Sequence, residues 1–294
     1  MSTASKAELL SGCVGWLNDR LMLFSPARAR TVAQALPAFK RLGELAMAAE
    51  LRERRQASSG RAWLDAAWEM LDRGDALLQW LPQIPALIAL YPPFARSGFR
   101  SPQIDAMARR DDFQRSALAM PSRLQFALRL ALIDCELPAP GSYRDAMAEE
   151  PLLRHAPPST VSSADQYAIA HAVFWLTDFG RLPARLDSEH AVYCRQALPV
   201  LIARALAVGN IDLLAELMLT SHCLTDCAPP AAWRALFQCQ AENGLVVRGL
   251  CEDPRVWLRD RTEAQVFWEN AHSTLTALMA ACMCPHGELD ASHG

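Results

Sequence analysis

The chain is expected to be all-α, a multi-helix bundle or an α/α toroid-like array of antiparallel helical hairpins. Three observations predict this. Apolar residues recur at three- and four-residue spacing almost throughout, as at Leu118, Leu124, Leu128, Ala131 and Leu132. Helix starts carry capping signals. Strand signals are nearly missing: the only β-branched run, Leu245-Val246-Val247 after Asn243-Gly244, is too short to build a sheet.

The elements follow in order. The periodicity predicts helices over 4–23, 27–55, 60–80, 84–91, 102–118, 122–136, 142–150, 163–178, 188–207, 211–225, 231–242 and 261–283. Ser25-Pro26 and Ser101-Pro102 each place a capping hydroxyl before a proline suited to the first helical position. Asp260-Arg-Thr-Glu263 has the form of a capping box, and Asn210 after Gly209 marks a break and a new N-cap. The Pro- and Ser-rich stretch Arg154 to Ser163 reads as a connector. A single helical domain over 1–294 is expected, divisible at that connector into an N-terminal half, 1–153, and a C-terminal half, 164–283. No fixed repeat period is evident.

At 294 residues with 51% hydrophobic and 21% charged residues, the chain can bury a large core and is far from disordered composition. Lysine occurs only at Lys6 and Lys40. A net charge of −3 with scattered arginines argues against nucleic acid as a partner. The most apolar stretch, Leu198 to Leu219, carries Arg204, Asp212 and Glu216, so no membrane span is expected, and the N-terminus lacks a secretory pattern. The expected location is cytoplasmic. Nine cysteines, an odd number, are expected to be reduced. Cys223/Cys227 and Cys282/Cys284/His286 come nearest to zinc-ligand spacing, but single cysteines filling the core account for them better. The tryptophans, among them Trp63, Trp68, Trp80, Trp175, Trp233, Trp257 and Trp268, are expected mostly in the core.

No phosphate-cradling glycine loop, nucleophile elbow or His-Glu-x-x-His is present. Chemistry instead concentrates in three apolar helices. His171 and Asp178, seven residues apart, return to within about 20° of one another on one helix face, with Phe174 between them and Tyr167 one turn before. Asp212 and Glu216 stand four apart in an apolar helix, and His272 lies inside another. Ionisable groups isolated there would each cost several kcal/mol, so mutual contact is the economical arrangement. His171, Asp178, Glu216 and His272 are therefore the candidate catalytic residues, as a general acid–base set. His171, Asp178, Asp212, Glu216 and His272 would equally suit a divalent metal such as zinc or iron. Each also has a structural reading: a core histidine satisfied by a carbonyl, Asp178 ending its helix at Gly180, and Asp212 favoured by the helix dipole.

The segments His171-Ala-Val-Phe-Trp-Leu-Thr-Asp-Phe-Gly180, Asp212-Leu-Leu-Ala-Glu-Leu217 and Ala271-His-Ser-Thr-Leu-Thr-Ala-Leu278 resemble an uncharacterised all-helical bacterial family. That family has a His-x-x-Phe-Tyr-x-Thr-Asp-Phe-Gly signature, an Asp/Glu helix and a Tyr-His-Thr-Thr element, and its members often sit beside natural-product biosynthesis genes. The match spans about residues 165–280. Here the signature's tyrosines are replaced by Trp175 and Ala271. The resemblance implies a site at His171, Thr177, Asp178, Asp212, Glu216, His272 and Thr274; Tyr167, Trp175, Thr177 and Thr274 are the expected substrate contacts. The family supplies no reaction; the first reading is an enzyme of specialised-metabolite or modified-peptide biosynthesis, acting on a small molecule or peptide. The alternative is a non-catalytic helical scaffold that holds a protein partner, or that forms a homodimer.

Overall fold

The computed structural model describes residues 6–56, 60–147, 150–225, 227–251 and 253–284. Among these residues the chain is all-α. In chain order the helices are α1 (Lys6–Asp19), α2 (Val32–Gln56), α3 (Arg61–Met70), α4 (Asp75–Trp80), α5 (Pro92–Arg96), α6 (Pro102–Ala108), α7 (Asp111–Leu118) and α8 (Ser122–Asp134). They continue with α9 (Tyr143–Met147), α10 (Ser163–Thr177), α11 (Ser188–Ala207), α12 (Ile211–Cys223), α13 (Pro230–Gln238), α14 (Pro254–Leu258) and α15 (Glu263–Met283). Short 3₁₀ turns connect several of them, and the only β-type pairings described are two isolated bridges, Asn210 with Gly249 and Gln240 with Val246.

Several expected helices are divided, each for a local reason. The 60–80 segment breaks where Arg73 and Gly74 take left-handed backbone angles, φ 55° and 104°. The 102–118 segment breaks at Arg109-Arg110, where Arg110 is extended. The 84–91 segment is a 3₁₀ helix, Pro85–Leu90, opened by a proline at its first position. Ser101 caps α6 as expected. Ser25 caps only a three-residue 3₁₀ turn. The capping box of α15 is Thr262 with Gln265, not Asp260 with Glu263, since Asp260 sits at φ 61° outside the helix. Among the periodic residues, Leu128, Ala131 and Leu132 are buried while Leu118 and Leu124 are exposed. Trp63, Trp68 and Trp233 are core residues, but Trp268 is 45% exposed.

The chain forms two compact units, one of residues 21–153 and one of residues 1–20 with 154–294. In the first, α2 packs against α3 and α5, and the Pro85–Leu90 turn is flanked by α2 and α8. Its core holds Phe39, Leu42, Leu45, Tyr91, Phe94 and Phe126, with Trp68 against the rings of Tyr91, Phe94 and Phe99. In the second unit α12 is the central helix and packs on α10, α11, α13 and α15. Every one of its residues except Asp212 is buried. The N-terminal helix α1 belongs to this unit: it lies on α15, stacks Trp16 on Phe267 and accepts the Gln240 amide at the Leu9 carbonyl, 3.0 Å away. Gly244, at φ 88°, lies so close to Gly12 that a Cβ there would fall 2.0 Å from the Gly12 carbonyl oxygen.

The short β-branched run is a buried strap. Leu245, Val246 and Val247 are fully buried, and their backbone is held by side chains of α15. The Val246 N–H donates to Thr274 Oγ1 (3.1 Å), Ser273 Oγ donates to the Val246 carbonyl (2.8 Å), and the Arg248 N–H donates to Asn270 Oδ1 (3.1 Å). The strap's other backbone groups pair with backbone, the Val247 N–H donating to the Cys239 carbonyl (3.0 Å) and the Leu245 carbonyl accepting the Ala241 N–H (2.8 Å), so one helix face and one neighbouring segment share the task. At about 100° per residue that face is turned roughly 150° from His272. The strap thereby sets the rotation of α15 that aims His272 away from it.

Among the described residues, no helix is long and apolar enough to cross a membrane. Cys13, Cys135, Cys194, Cys223, Cys239, Cys282 and Cys284 are buried, as expected of core fillers. Burial pushes the Cys13 and Cys194 thiols up to about 12. His286, the third member of one zinc-like spacing, lies outside the described residues.

Candidate functional site

Two helix starts place the site. Ser162 caps α10, accepting the Asp165 N–H at 3.1 Å, and Asn210 caps α12, accepting the Leu213 N–H at 3.1 Å. From these starts Tyr167 and His171 occupy one face of α10, and Asp212 and Glu216 one face of α12, each pair a single turn apart. The two helices meet at two rungs. On the first, the Tyr167 hydroxyl donates to Asp212 Oδ2 at 3.0 Å, with Asn210 Nδ2 3.4 Å from the phenol oxygen. On the second, His171 Nε2 lies 3.3 Å from Glu216 Oε2 and 3.4 Å from Oε1. The N-terminal members of the two pairs meet on the first rung and the C-terminal members on the second, so α10 and α12 run in the same direction here, with rungs about 6 Å apart along the axes. From α15, His272 enters between the rungs, its Nε2 2.9 Å from Glu216 Oε1 and 3.8 Å from Asp212 Oδ2.

Burial differs sharply within the cluster. The Glu216 side chain is 1% exposed, while those of His171 and His272 are 25% and 28% exposed and that of Asp212 is 19%. Burial alone would push the Glu216 carboxyl up. The charged forms of the His171 and His272 imidazoles, with their hydrogen bonds, outweigh it and hold the group down at about 2. Burial, followed by the Asp212 and Glu216 charges, raises Tyr167 well above the ordinary phenol range, so it stays a hydrogen-bond donor. The His171 ring lies among aromatic rings, with centroids at 5.5 Å to Trp175, 6.1 Å to Phe174 and 6.5 Å to Tyr167.

The structure thus brings together His171, Glu216 and His272, with Asp212 and Tyr167 beside them and Trp175 against His171. Other expected site residues serve local structure. Asp178 ends α10 in the left-handed region (φ 45°, ψ 59°) and pairs with Arg181. Two turns along the helix, about 10 Å from His171, it is too far to share the Glu216 carboxylate. Seven residues bring a side chain back to the same face but two turns along, and the separation along the axis decides. Thr177 donates to the Val173 carbonyl (2.7 Å) and accepts the Gly180 N–H (3.1 Å). Phe179 stacks back on Phe174 at 5.4 Å. The Thr-Asp-Phe-Gly end of the signature is therefore a helix-terminating turn. Thr274 is fully buried on the strap, its hydroxyl used by the Val246 N–H and the Asn270 carbonyl. Thr177 and Thr274 are corrected from substrate contacts to backbone anchors.

The expected metal set is also corrected in its geometry. Among the described residues, no three His, Cys, Asp or Glu side chains are grouped to hold a metal ion. Asp178 is turned to Arg181, and both imidazole Nε2 atoms point at the Glu216 carboxylate. Two further participants, Asn210 and Asn270, were recognisable only in part. Asn210 was legible as a cap but not as a partner of Tyr167, and Asn270 was visible only as a polar residue four before Thr274 in an apolar helix.

Fold and site together define an all-α protein with an imidazole–carboxylate–imidazole centre on α10, α12 and α15. The chain belongs to a family described as a domain of unknown function, DUF6895, whose model matches residues 10–282. No curated protein and no solved structure matches it.

Proposed function

We propose that this chain is an enzyme whose general acid–base centre is the pair His171 and His272 sharing the Glu216 carboxylate. One observation carries the reading: the carboxylate is sealed from solvent while both imidazoles that balance it reach the surface. Here a buried anion orients two rings and stabilises their charged forms, as required of groups that take and return a proton near neutral pH. Tyr167 and Trp175, with ring centroids 6.5 and 5.5 Å from that of His171, supply aromatic surface suited to a small organic or peptide substrate. The biosynthetic setting that the family resemblance implies is compatible with such chemistry.

The test compares purified wild-type chain with His171→Gln, His272→Gln and Glu216→Gln in a cellular small-molecule extract made up in D2O and followed by mass spectrometry. The expected result is a set of species altered or deuterated by the wild type and lost with all three variants. Extracts unchanged by folded wild-type protein would overturn the reading in favour of a scaffold. Stoichiometric zinc or iron in untagged wild-type protein, absent from the variants, would overturn it in favour of a metal centre.

A further inference from the structure

The segment that leaves α13, residues 239–251, folds back on itself. Gln240 bridges to Val246, the Val247 N–H donates to the Cys239 carbonyl at 3.0 Å, and the Ala241 N–H donates to the Leu245 carbonyl at 2.8 Å. The return brings the two cysteines of the segment together. The Gln238 amide donates to the Cys251 carbonyl at 3.2 Å, and Cys239 Sγ lies 3.8 Å from the carbonyl oxygen of Gly249, two residues before Cys251. The Cys239 and Cys251 thiols are hydrogen-bonded to one another, and the Cys251 N–H is directed at the Cys239 sulfur. Cys239 is fully buried, whereas Cys251 is half-buried. We infer that Cys239 and Cys251 form an oxidisable dithiol that takes a low-molecular-weight disulfide as its oxidant, with Cys251 the attacking thiol and Cys239 the resolving one. This stands apart from the acid–base reading above.

Exposure orders the two steps. The half-buried sulfur of Cys251 is the one open to a molecule from solution, while the buried Cys239 sulfur needs to reach only its neighbour. Cys251 gives its proton to water and attacks one sulfur of the external disulfide, and an external thiolate leaves and takes up a proton. Cys239 then gives its proton to water and attacks the Cys251 sulfur, forming the internal bond and expelling the second external thiol. Two protein thiols are oxidised, and one external disulfide is reduced to two thiols. Burial raises both protein thiols, Cys239 to about 12, so the pair rests as the dithiol near neutral pH and reacts slowly through the small thiolate fraction of Cys251.

The bond closes a segment that touches three helices. Between the two cysteines lies the Leu245–Val247 strap on α15, followed by the Arg248 carbonyl, which accepts the Ile211 and Asp212 N–H groups at the start of α12, at 3.0 and 3.3 Å. The Leu250 N–H donates to the Gly209 carbonyl at 2.8 Å, and the Gln240 amide holds the Leu9 carbonyl of α1 at 3.0 Å. Glu216 stands on α12 and His272 on α15, so oxidation tightens the frame that carries both. Closing the loop also removes conformations from the unfolded chain.

The test treats the reduced full chain with excess glutathione disulfide at about pH 8, quenches it with acid, blocks the remaining thiols with a maleimide and maps the cysteines by mass spectrometry. The expected product joins Cys239 to Cys251. Cys239→Ser is expected to stop at the glutathione adduct of Cys251, and Cys251→Ser to leave Cys239 as a thiol. The unfolding midpoint of the oxidised wild type should rise by roughly 5–10 °C over that of the reduced chain, with no such rise in treated Cys251→Ser. Wild-type protein in which Cys251 remains a thiol, stays as its glutathione adduct or pairs with a cysteine other than Cys239 would overturn the inference. A Cys239–Cys251 bond that leaves the midpoint unchanged or lowers it would remove its role as a tie on the strap. The wild-type map decides even if neither serine variant folds.

Discussion

Both units bury a carboxylate in a helix interior, and they satisfy it in opposite ways. In the 21–153 unit, Glu50 of α2 receives two parallel hydrogen bonds of 2.7 Å from Arg96, whose guanidinium also reaches Asp134 at 3.4 Å. In the other unit, Glu216 receives two imidazoles from two different helices. A guanidinium stays charged at every pH a folded protein meets, and its planar fork fixes one geometry. Imidazoles change charge near neutrality. The first arrangement ties α2, α5 and α8 together permanently. The second can gain or lose a proton without losing its contacts. The lesson is that burial of an acid does not by itself mark a site; the nature of its partner does.

The largest expected effect separates the two clusters by stability. Arg96→Ala leaves Glu50 buried without its bidentate partner and should destabilise by about 3–5 kcal/mol. Glu216→Gln keeps a hydrogen-bonding group between the imidazoles and should cost only about 1–3 kcal/mol. Urea unfolding of both variants checks this, and equal losses would erase the distinction.

A pH comparison sharpens it. Glu216 is held near 2 in the folded chain against its ordinary 4.5, so the unfolded state binds the proton first as pH falls. Its contribution is fully present above about pH 4.5 and is lost as the pH drops towards 2. The stability gap between wild type and Glu216→Gln should therefore shrink across that window, measured as unfolding midpoints at fixed ionic strength. A gap that widens on acidification would reverse the sign of the argument.

The strap gives a smaller effect. Thr274→Val removes the acceptor of the buried Val246 N–H and should cost about 1–2 kcal/mol while disturbing the His272 ring signals through the rotation of α15. Thr177→Val, at the turn that ends α10, should cost about as much with the His272 signals unchanged. Matching spectra for the two variants would remove the strap from the account of the site.

The helices around the site were legible from periodicity: α10, α11, α12 and α15 fall close to their expected bounds, with Asn210 marking the start of α12 as expected and the cap of α15 lying two residues beyond the expected one. The 21–153 unit was less legible, since its breaks depend on left-handed residues such as Arg73 and on proline-led 3₁₀ turns that carry no periodic signal. Within the site, facing residues on one helix could be read from angle alone, which brought His171 and Asp178 together on paper. Their axial separation follows from the helix rise, whereas the commitment of the Thr274 hydroxyl to the strap depends on where Val246 lies. Asp212 was read as a carboxylate near a helix start, but its station beside His272 depends on where α15 lies, and no local pattern encodes that.

The central claim, that one buried carboxylate governs two surface-reaching imidazoles, is tested most directly by titrating both rings in the Glu216→Gln chain by histidine NMR. The account predicts that the ring signals of His171 and His272 both change their response to pH together, with the fold unchanged by circular dichroism. If either ring titrates as it does in the wild type, Glu216 is not their shared partner and the site as described here is wrong.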